Sequence, residues 1–155
     1  MIRIATFSED RKYRYILGRQ WGDGPWVTFI MLNPSTANEA EDDPTIRTCI
    51  AFTQSWGYGG LNAVNLFGFV ASNVKDLYAA ADPDGPMNDV IRSLAINRSQ
   101  LSIAAWGNPG SYRDAGKNLI AAYPGLKCLT MTKQGQPGHP LYLPRDLQPR
   151  EIARI

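Results

Sequence analysis

Trp26-Val27-Thr28-Phe29-Ile30-Met31-Leu32 is a near-continuous apolar run of strand length that halts at Asn33-Pro34. An alternating strand can leave one face to water. A run without alternation needs cover on both faces, the environment of a central strand in a largely parallel sheet. Proline then removes a backbone donor and fixes the local turn, so the strand ends beside its first amide side chain. A chain built round such a strand must supply neighbouring strands and helices above and below it.

The remaining sequence supplies both. Arg3–Phe7 and Tyr13–Leu17 alternate on either side of the polar Ser8-Glu9-Asp10-Arg11-Lys12 and read as a hairpin at a sheet edge or lid. From Pro44, the residues Ile46, Cys49, Ile50, Thr53 and Trp56 fall at helical spacing, with Asp43 as N-cap and Gly57 as stop. Leu61–Phe69 is a second strand, and strand–helix–strand order predicts a right-handed parallel crossover. Pro86 opens a helix carrying Val90, Ile91, Leu94 and Ala95, followed by a strand over Leu101–Trp106. A third helix is expected over Ser111–Ala122 and a last strand over Leu126–Thr132, with Lys133 to Ile155 rich in loops. The expected fold is one α/β domain spanning residues 1–155: three layers, α/β/α, round a central, mainly parallel four-stranded sheet, plus the N-terminal β-hairpin.

Length and composition narrow the function classes. The 155 residues suit one core, and 44% hydrophobic against 19% charged residues excludes a disordered chain. Sixteen basic and fourteen acidic side chains leave a net charge of +2, too weak a bias to indicate nucleic acid by itself. Cys49 and Cys128 lie far apart and outside any CxxC, so no cysteine metal cluster is expected, and no cofactor. No apolar run approaches the ~20 residues that cross a bilayer, and Met1 to Arg14 is too polar for a signal peptide. These features predict a cytoplasmic monomer that does not engage a membrane.

In open α/β sheets, ligands gather at the carboxyl ends of the parallel strands. Each expected core strand ends in a polar or Gly/Pro segment, which selects Asn33, Asn65, Asn108 and His139 as residues able to share one crevice. Asn33 can fix a water or ligand atom with Ser35 and Thr36 beside it, or simply close an Asx-type turn. Asp42 or Asp43 can orient a water or cation, or merely favour the helix N-terminus. Asn65 sits inside an apolar strand, where its amide needs a partner: a neighbouring turn, or the paired N–H and C=O edge of a pyrimidine. His139, the single histidine, can stabilise a developing oxyanion or occupy a surface loop. Phe52, Phe67 and Trp106 are among the aromatics that can give a base a stacking face or fill the core. Lys133 and Arg145 can track phosphates or form a solvated face.

Taken together, Met31 to Ala37, Asp43 to Arg47, Trp56 to Gly60, Val64 to Phe67, Ala105 to Asn108 and His139 to Pro144 resemble a family known as domain of unknown function 1643. In order and placement they also resemble the uracil-DNA glycosylase superfamily: Leu32-Asn33-Pro34, then Val64-Asn65-Leu66, then Ala105-Trp106-Gly107, then His139-Pro140-Leu141-Tyr142-Leu143. That resemblance implies a metal-free N-glycosylase acting on a flipped, pyrimidine or modified base in DNA. It implies that Asn33 positions the attacking water, supported by Ser35 or Asp42, and that His139 stabilises the departing base. Asn65 reads the base against Phe52, Phe67 or Trp106, and Leu141 and Tyr142 enter the DNA with Lys133 and Arg145 nearby. Two departures stand out: Ser35-Thr36 follows the first motif where Gly or Tyr-His is usual, and Leu141-Tyr142 replaces Ser-Pro after the His-Pro pair. The alternative expectation is a nucleoside- or nucleotide-binding protein, or a small-molecule nucleoside hydrolase without DNA activity, which the small net charge favours.

Overall fold

In the computed structural model, which describes residues 1–153, the apolar run forms β3 (Trp26–Met31). It pairs in parallel with β4 (Gly60–Asn65) on one side and β5 (Leu101–Ala104) on the other. β6 (Lys127–Cys128) extends the parallel set beyond β5. The hairpin strands β1 (Ile2–Phe7) and β2 (Arg14–Gln20) join the same sheet through antiparallel pairing of β2 with β4, and β7 (Arg150–Glu151) closes the far edge against β6. The result is a mixed seven-stranded sheet in the order β1-β2-β4-β3-β5-β6-β7.

The expected four-stranded sheet is therefore too narrow. The hairpin is no separate lid: Leu17 is fully buried in the core and Arg19 is buried beside it, so β2 is an interior strand. β7 falls in the stretch read as loop, because two residues paired with a short neighbour leave no periodic trace. An ion pair from Lys127 to Glu151 and the burial of Ile152 hold it.

Side chains of β3 alternate between two apolar clusters. Val27, Phe29 and Met31 face α1 (Pro44–Ser55) with Ile46, Cys49, Ile50 and Phe52. Ile30 faces the other side, where Leu77 of α2 (Val74–Ala79), Ala95 and Ile96 of α3 (Asn88–Arg98), and Leu119 of α4 (Ala115–Ala122) pack. Burial of each such side chain is worth roughly 1.5–3 kcal/mol, which explains why the run tolerates no alternation. α1 begins as expected: Asp43 accepts the Ile46 N–H at 2.9 Å and Pro44 takes the first position.

Several boundaries differ from expectation. β4 leaves the regular ladder after Asn65, although Leu66 and Phe67 still donate to Met31 and Leu32 carbonyls. The helix expected from Ser111 opens instead as a 3-10 segment (Asn108–Asp114), because Arg113 and Asp114 adopt φ of 55° and 56° and break the α pattern before Ala115. The last core strand keeps only Lys127–Cys128 in register. α2, capped by Asn73, had no sequence expectation at all. No described helix is long and apolar enough to cross a membrane.

Candidate functional site

The carboxyl ends of β3, β4 and β5 open into a cleft of about 500 Å³. Asn33, Ser35, Asn65, Trp106, Asn108 and His139 all line it, although they are scattered along the chain. The parallel register explains the convergence: Met31 pairs with Asn65, and the Ala105 N–H donates to the Ile30 carbonyl, so the three strands stop at one level.

Asn33 has a fixed orientation. Its Nδ2 donates to the carbonyls of Ala71 at 2.8 Å, Pro34 at 3.1 Å and Phe69 at 3.3 Å. Its donors are thereby spent on main chain, and Oδ1 remains as an acceptor on the cleft wall. Asn65 is the opposite case. The residue is 1% exposed, and neither Oδ1 nor Nδ2 has a hydrogen-bond partner among the described residues. Its backbone is clamped, since the Asn65 carbonyl accepts from Asn88 Nδ2 and from Arg92 Nη1, each at 3.2 Å. A rigid main chain thus presents an amide with one donor end and one acceptor end, both unmet.

His139 reaches the cleft on a loop tied to two strand ends. Gly107 donates to the Pro137 carbonyl at 2.8 Å, and Gly138 donates to the Thr130 carbonyl at 2.9 Å. Gly107 has φ 73° and ψ −174°, which only glycine adopts without strain. At Gly138 any Cβ would lie 2.2 Å from Thr130 Oγ1. The His139 ring accepts the Leu141 N–H at Nδ1, 3.2 Å away, which places the proton of the neutral ring on Nε2. Partial desolvation of the ring at the cleft pushes the imidazole pKa below its ordinary value, against a smaller upward pull from Asp43, although the residue keeps an exposed side. At neutral pH the ring is therefore an uncharged Nε2–H donor. Trp106 is locked beside it: Nε1 donates to Gln136 Oε1 at 2.9 Å, and Gly110 lies so close that a Cβ there would fall 1.9 Å from the indole. Thr132 Oγ1 donates to Asn108 Oδ1 at 2.6 Å, which leaves the Asn108 amide N–H groups unspent.

Two charged residues complete the lining, Arg14 and Asp43. Arg14 is 2% exposed, and burial lowers its guanidinium pKa to about 10 despite the opposing charge of Asp43. Asp43 spends Oδ1 on the Ile46 N–H and stands at the positive end of α1.

The sequence profile of the family described as "Protein of unknown function (DUF1643)" matches residues 14–141. The chain belongs to the DUF1643 family. The DUF1643 segment opens at Arg14 and encloses every residue of the cleft lining, whereas Tyr142 and Arg145 fall outside it. No curated protein and no solved structure matches the chain.

Other sequence-selected residues of the DUF1643 chain lie away from the cleft. Asp42, expected to support Asn33, is held by Arg19 Nε at 2.8 Å and Arg3 Nη1 at 3.0 Å, so its neighbour Asp43 is the carboxylate that faces the site. Phe52 is fully buried against Trp56 under α1, and Phe67 packs on Tyr112 on the opposite side of the sheet, so neither offers a face to a cleft ligand. Trp106 is the aromatic that remains there. Leu141 is half-buried next to His139, while Tyr142 is 93% exposed with φ 68°. Leu143 and Leu147 anchor that loop on the core, and Trp56 Nε1 donates to the Leu147 carbonyl at 3.1 Å. Lys133 is exposed near Thr132, and Arg145 lies over the edge of Phe52 with its guanidinium 5.7 Å from the ring centre. Arg14 escaped the sequence reading because a lone arginine opening a strand has the signature of a surface residue.

Proposed function

We propose that the DUF1643 chain binds a pyrimidine-type base extruded from a nucleic-acid strand and hydrolyses its N-glycosidic bond, with a fold of the uracil-DNA glycosylase type. The observation that carries this reading is Asn65, a buried amide with no partner among the described residues at either end, on the wall of a cleft. Unmet buried polar groups cost about 1–3 kcal/mol each. A ligand with an adjacent acceptor and donor removes that cost, and the N–H and C=O edge of uracil or thymine has this pattern.

The surrounding groups fit the chemistry. As the bond from the sugar C1′ to the base nitrogen breaks, its electron pair moves to the base and positive charge grows on the sugar. His139, neutral and protonated at Nε2, donates a hydrogen bond to the base oxygen that gains charge. Asn33 Oδ1 and the Asp43 carboxylate accept from the incoming water, whose oxygen bonds to C1′. Asp43 takes the water's proton and passes it, through solvent, to the released base. Trp106, buried and packed against Gly110, backs the cleft rigidly, and Tyr142, exposed on the loop after His139, is an aromatic able to stack on an unpaired base.

The test is release of free base from oligonucleotides carrying uracil, hydroxymethylated or glycosylated pyrimidines. The expected result is turnover on one of them, reduced at least ~100-fold in Asn33→Ala and in His139→Ala, both folded as the parent. No release from any of these substrates sinks the proposal. The net charge of +2 favours a second reading, in which the same cleft serves a free nucleoside or nucleotide. Titrating DNA binding against salt separates the two, since a strand binder loses affinity steeply as salt rises.

A further inference from the structure

We infer that Arg14 forms an anion subsite in this cleft, which takes the phosphate of the nucleotide whose base Asn65 reads. The inference rests on the reading of the cleft as a nucleobase site and names the rest of its ligand.

β2 contains its own comparison. Arg14 and Arg19 are both buried, at 2% and 0% exposure. Arg19 is satisfied: Asp42 accepts from Nε at 2.8 Å, and the carbonyls of Gly18, Ile4, Asn38 and Glu41 accept from its Nη atoms. Among the described residues, Arg14 makes one side-chain hydrogen bond, from Nη1 to the Ala37 carbonyl at 3.0 Å, and has no carboxylate within ion-pair distance. Its Nε is buried with no partner among them. A guanidinium carries five N–H donors in a planar fork suited to two oxygens of one phosphate. One satisfied donor on a buried cation is an incomplete arrangement, and the face it lacks is the cleft.

The other polar groups nearby suit an oxyanion. The hydroxyls of Ser35, Thr45 and Ser72 line the cleft and make no hydrogen bond within the described chain. Thr45 stands in the first turn of α1, where the helix dipole favours negative charge. Asp43 is the rival occupant, since its charge faces Arg14 across the cleft, but it lies beyond ion-pair distance and spends Oδ1 on the Ile46 N–H. If Arg14 served only to balance Asp43, a phosphate on the ligand would bring no gain. The cleft volume of about 500 Å³ accommodates base, sugar and phosphate together.

Isothermal titration of the full chain with inorganic phosphate, deoxyuridine, deoxyuridine 5′-monophosphate and a deoxyuridine-containing trinucleotide tests this. The monophosphate is expected to bind at least ~10-fold tighter than the nucleoside, as a charge-assisted fork contact implies. Arg14→Gln is expected to erase that gain, so that nucleoside and monophosphate bind alike, and Arg14→Lys to retain part of it. Equal affinities of nucleoside and monophosphate, or a gain that survives Arg14→Gln, overturn the subsite and leave the base reading standing. Arg14-dependent binding of phosphate and monophosphate with no response to deoxyuridine keeps the subsite and overturns the base reading. No binding of any probe overturns both. A trinucleotide tighter than the monophosphate assigns the phosphate to a strand, and the reverse assigns it to a free nucleotide; either supports the subsite. Because a buried arginine variant can unfold, the NMR signal of the Arg14 Nε–H is followed in the parent protein. It must shift on adding the monophosphate, and a static signal overturns the inference.

Discussion

An amide with two unmet ends is a standing cost to the fold, and Asn65 carries one on β4. Asn65→Leu replaces the amide by an apolar group of similar size inside an apolar strand. The variant is expected to be more stable than the parent by about 1–2 kcal/mol, because no buried polar group is left unpaired. That corresponds to a rise of roughly 2–8 °C in Tm by calorimetry, while ligand binding is lost. A residue held for packing gives the opposite sign. His139 titrates in the direction set by burial, which disfavours the imidazolium and lowers the folded pKa beneath the ordinary 6.5. Protonation also replaces the Nδ1 acceptor by a donor facing the Leu141 N–H. With one histidine in the chain, its NMR titration is unambiguous: the midpoint is expected below 6.5, and turnover falls on the acid side as pH drops through it. The linkage has the same sign, since the unfolded chain takes the proton first and stability declines as pH falls below about 6.5. Asn33, Asn65 and His139 were legible because polar residues at the ends of apolar strands are marked by contrast. The choice between Asp42 and Asp43 was not, since consecutive carboxylates differ only in which one meets Arg19. Phe52 and Phe67 show the same limit, as an aromatic beside a site motif serves the core equally well.

Strands and loops with strong local signals were readable, and those made by distant contacts were not. β3 and α1 announce themselves through an unbroken apolar run and an Asp-Pro start, and both stand within a residue of expectation. β7 and the pairing of β2 with β4 depend on partners far along the chain, so local pattern could not place them. The loop that carries His139 belongs to this second kind, because its shape comes from Gly107 and Gly138 meeting other segments. At Gly107 a Cβ has room, with its nearest neighbours at 3.8 Å, so the cost of Gly107→Ala is conformational. A non-glycine residue forced into that region costs about 1–3 kcal/mol. The variant is expected to unfold at lower urea by that amount and to lose turnover beyond it, as the 137–139 loop detaches from the end of β5. Full turnover in a Gly107→Ala protein would show that the loop geometry at His139 is dispensable.

The sheet also carries a tie between its hairpin edge and the cleft. Arg19, buried on β2, binds the Asp42 carboxylate and the carbonyls of Asn38 and Glu41, and Arg3 on β1 holds the second Asp42 oxygen. These contacts fix the segment that delivers Asp43 to the start of α1, so a residue outside the cleft sets one of its walls. Burial alone would raise the Asp42 carboxyl, but the hydrogen bonds and charges of Arg19 and Arg3 outweigh it and hold the pKa below the usual 3.8. The sign follows directly: a carboxylate depressed in the folded state adds stability above its unfolded pKa, and that stability is lost as pH falls through the folded value. Asp42→Asn removes the charge and leaves the Arg19 guanidinium buried with carbonyl partners alone. Breaking one side of a largely buried pair costs about 3 kcal/mol. Urea unfolding at pH 7 is expected to show that gap between parent and variant, and the gap is expected to narrow as pH drops below 3.8, where the unfolded chain takes up the Asp42 proton before the folded one does. A gap that stays constant into strong acid would mean that Asp42 acts through shape rather than charge. An Asp42→Asn protein as stable as the parent at pH 7 would mean that the carbonyl ring alone satisfies Arg19, and that the hairpin does not hold the cleft wall in place.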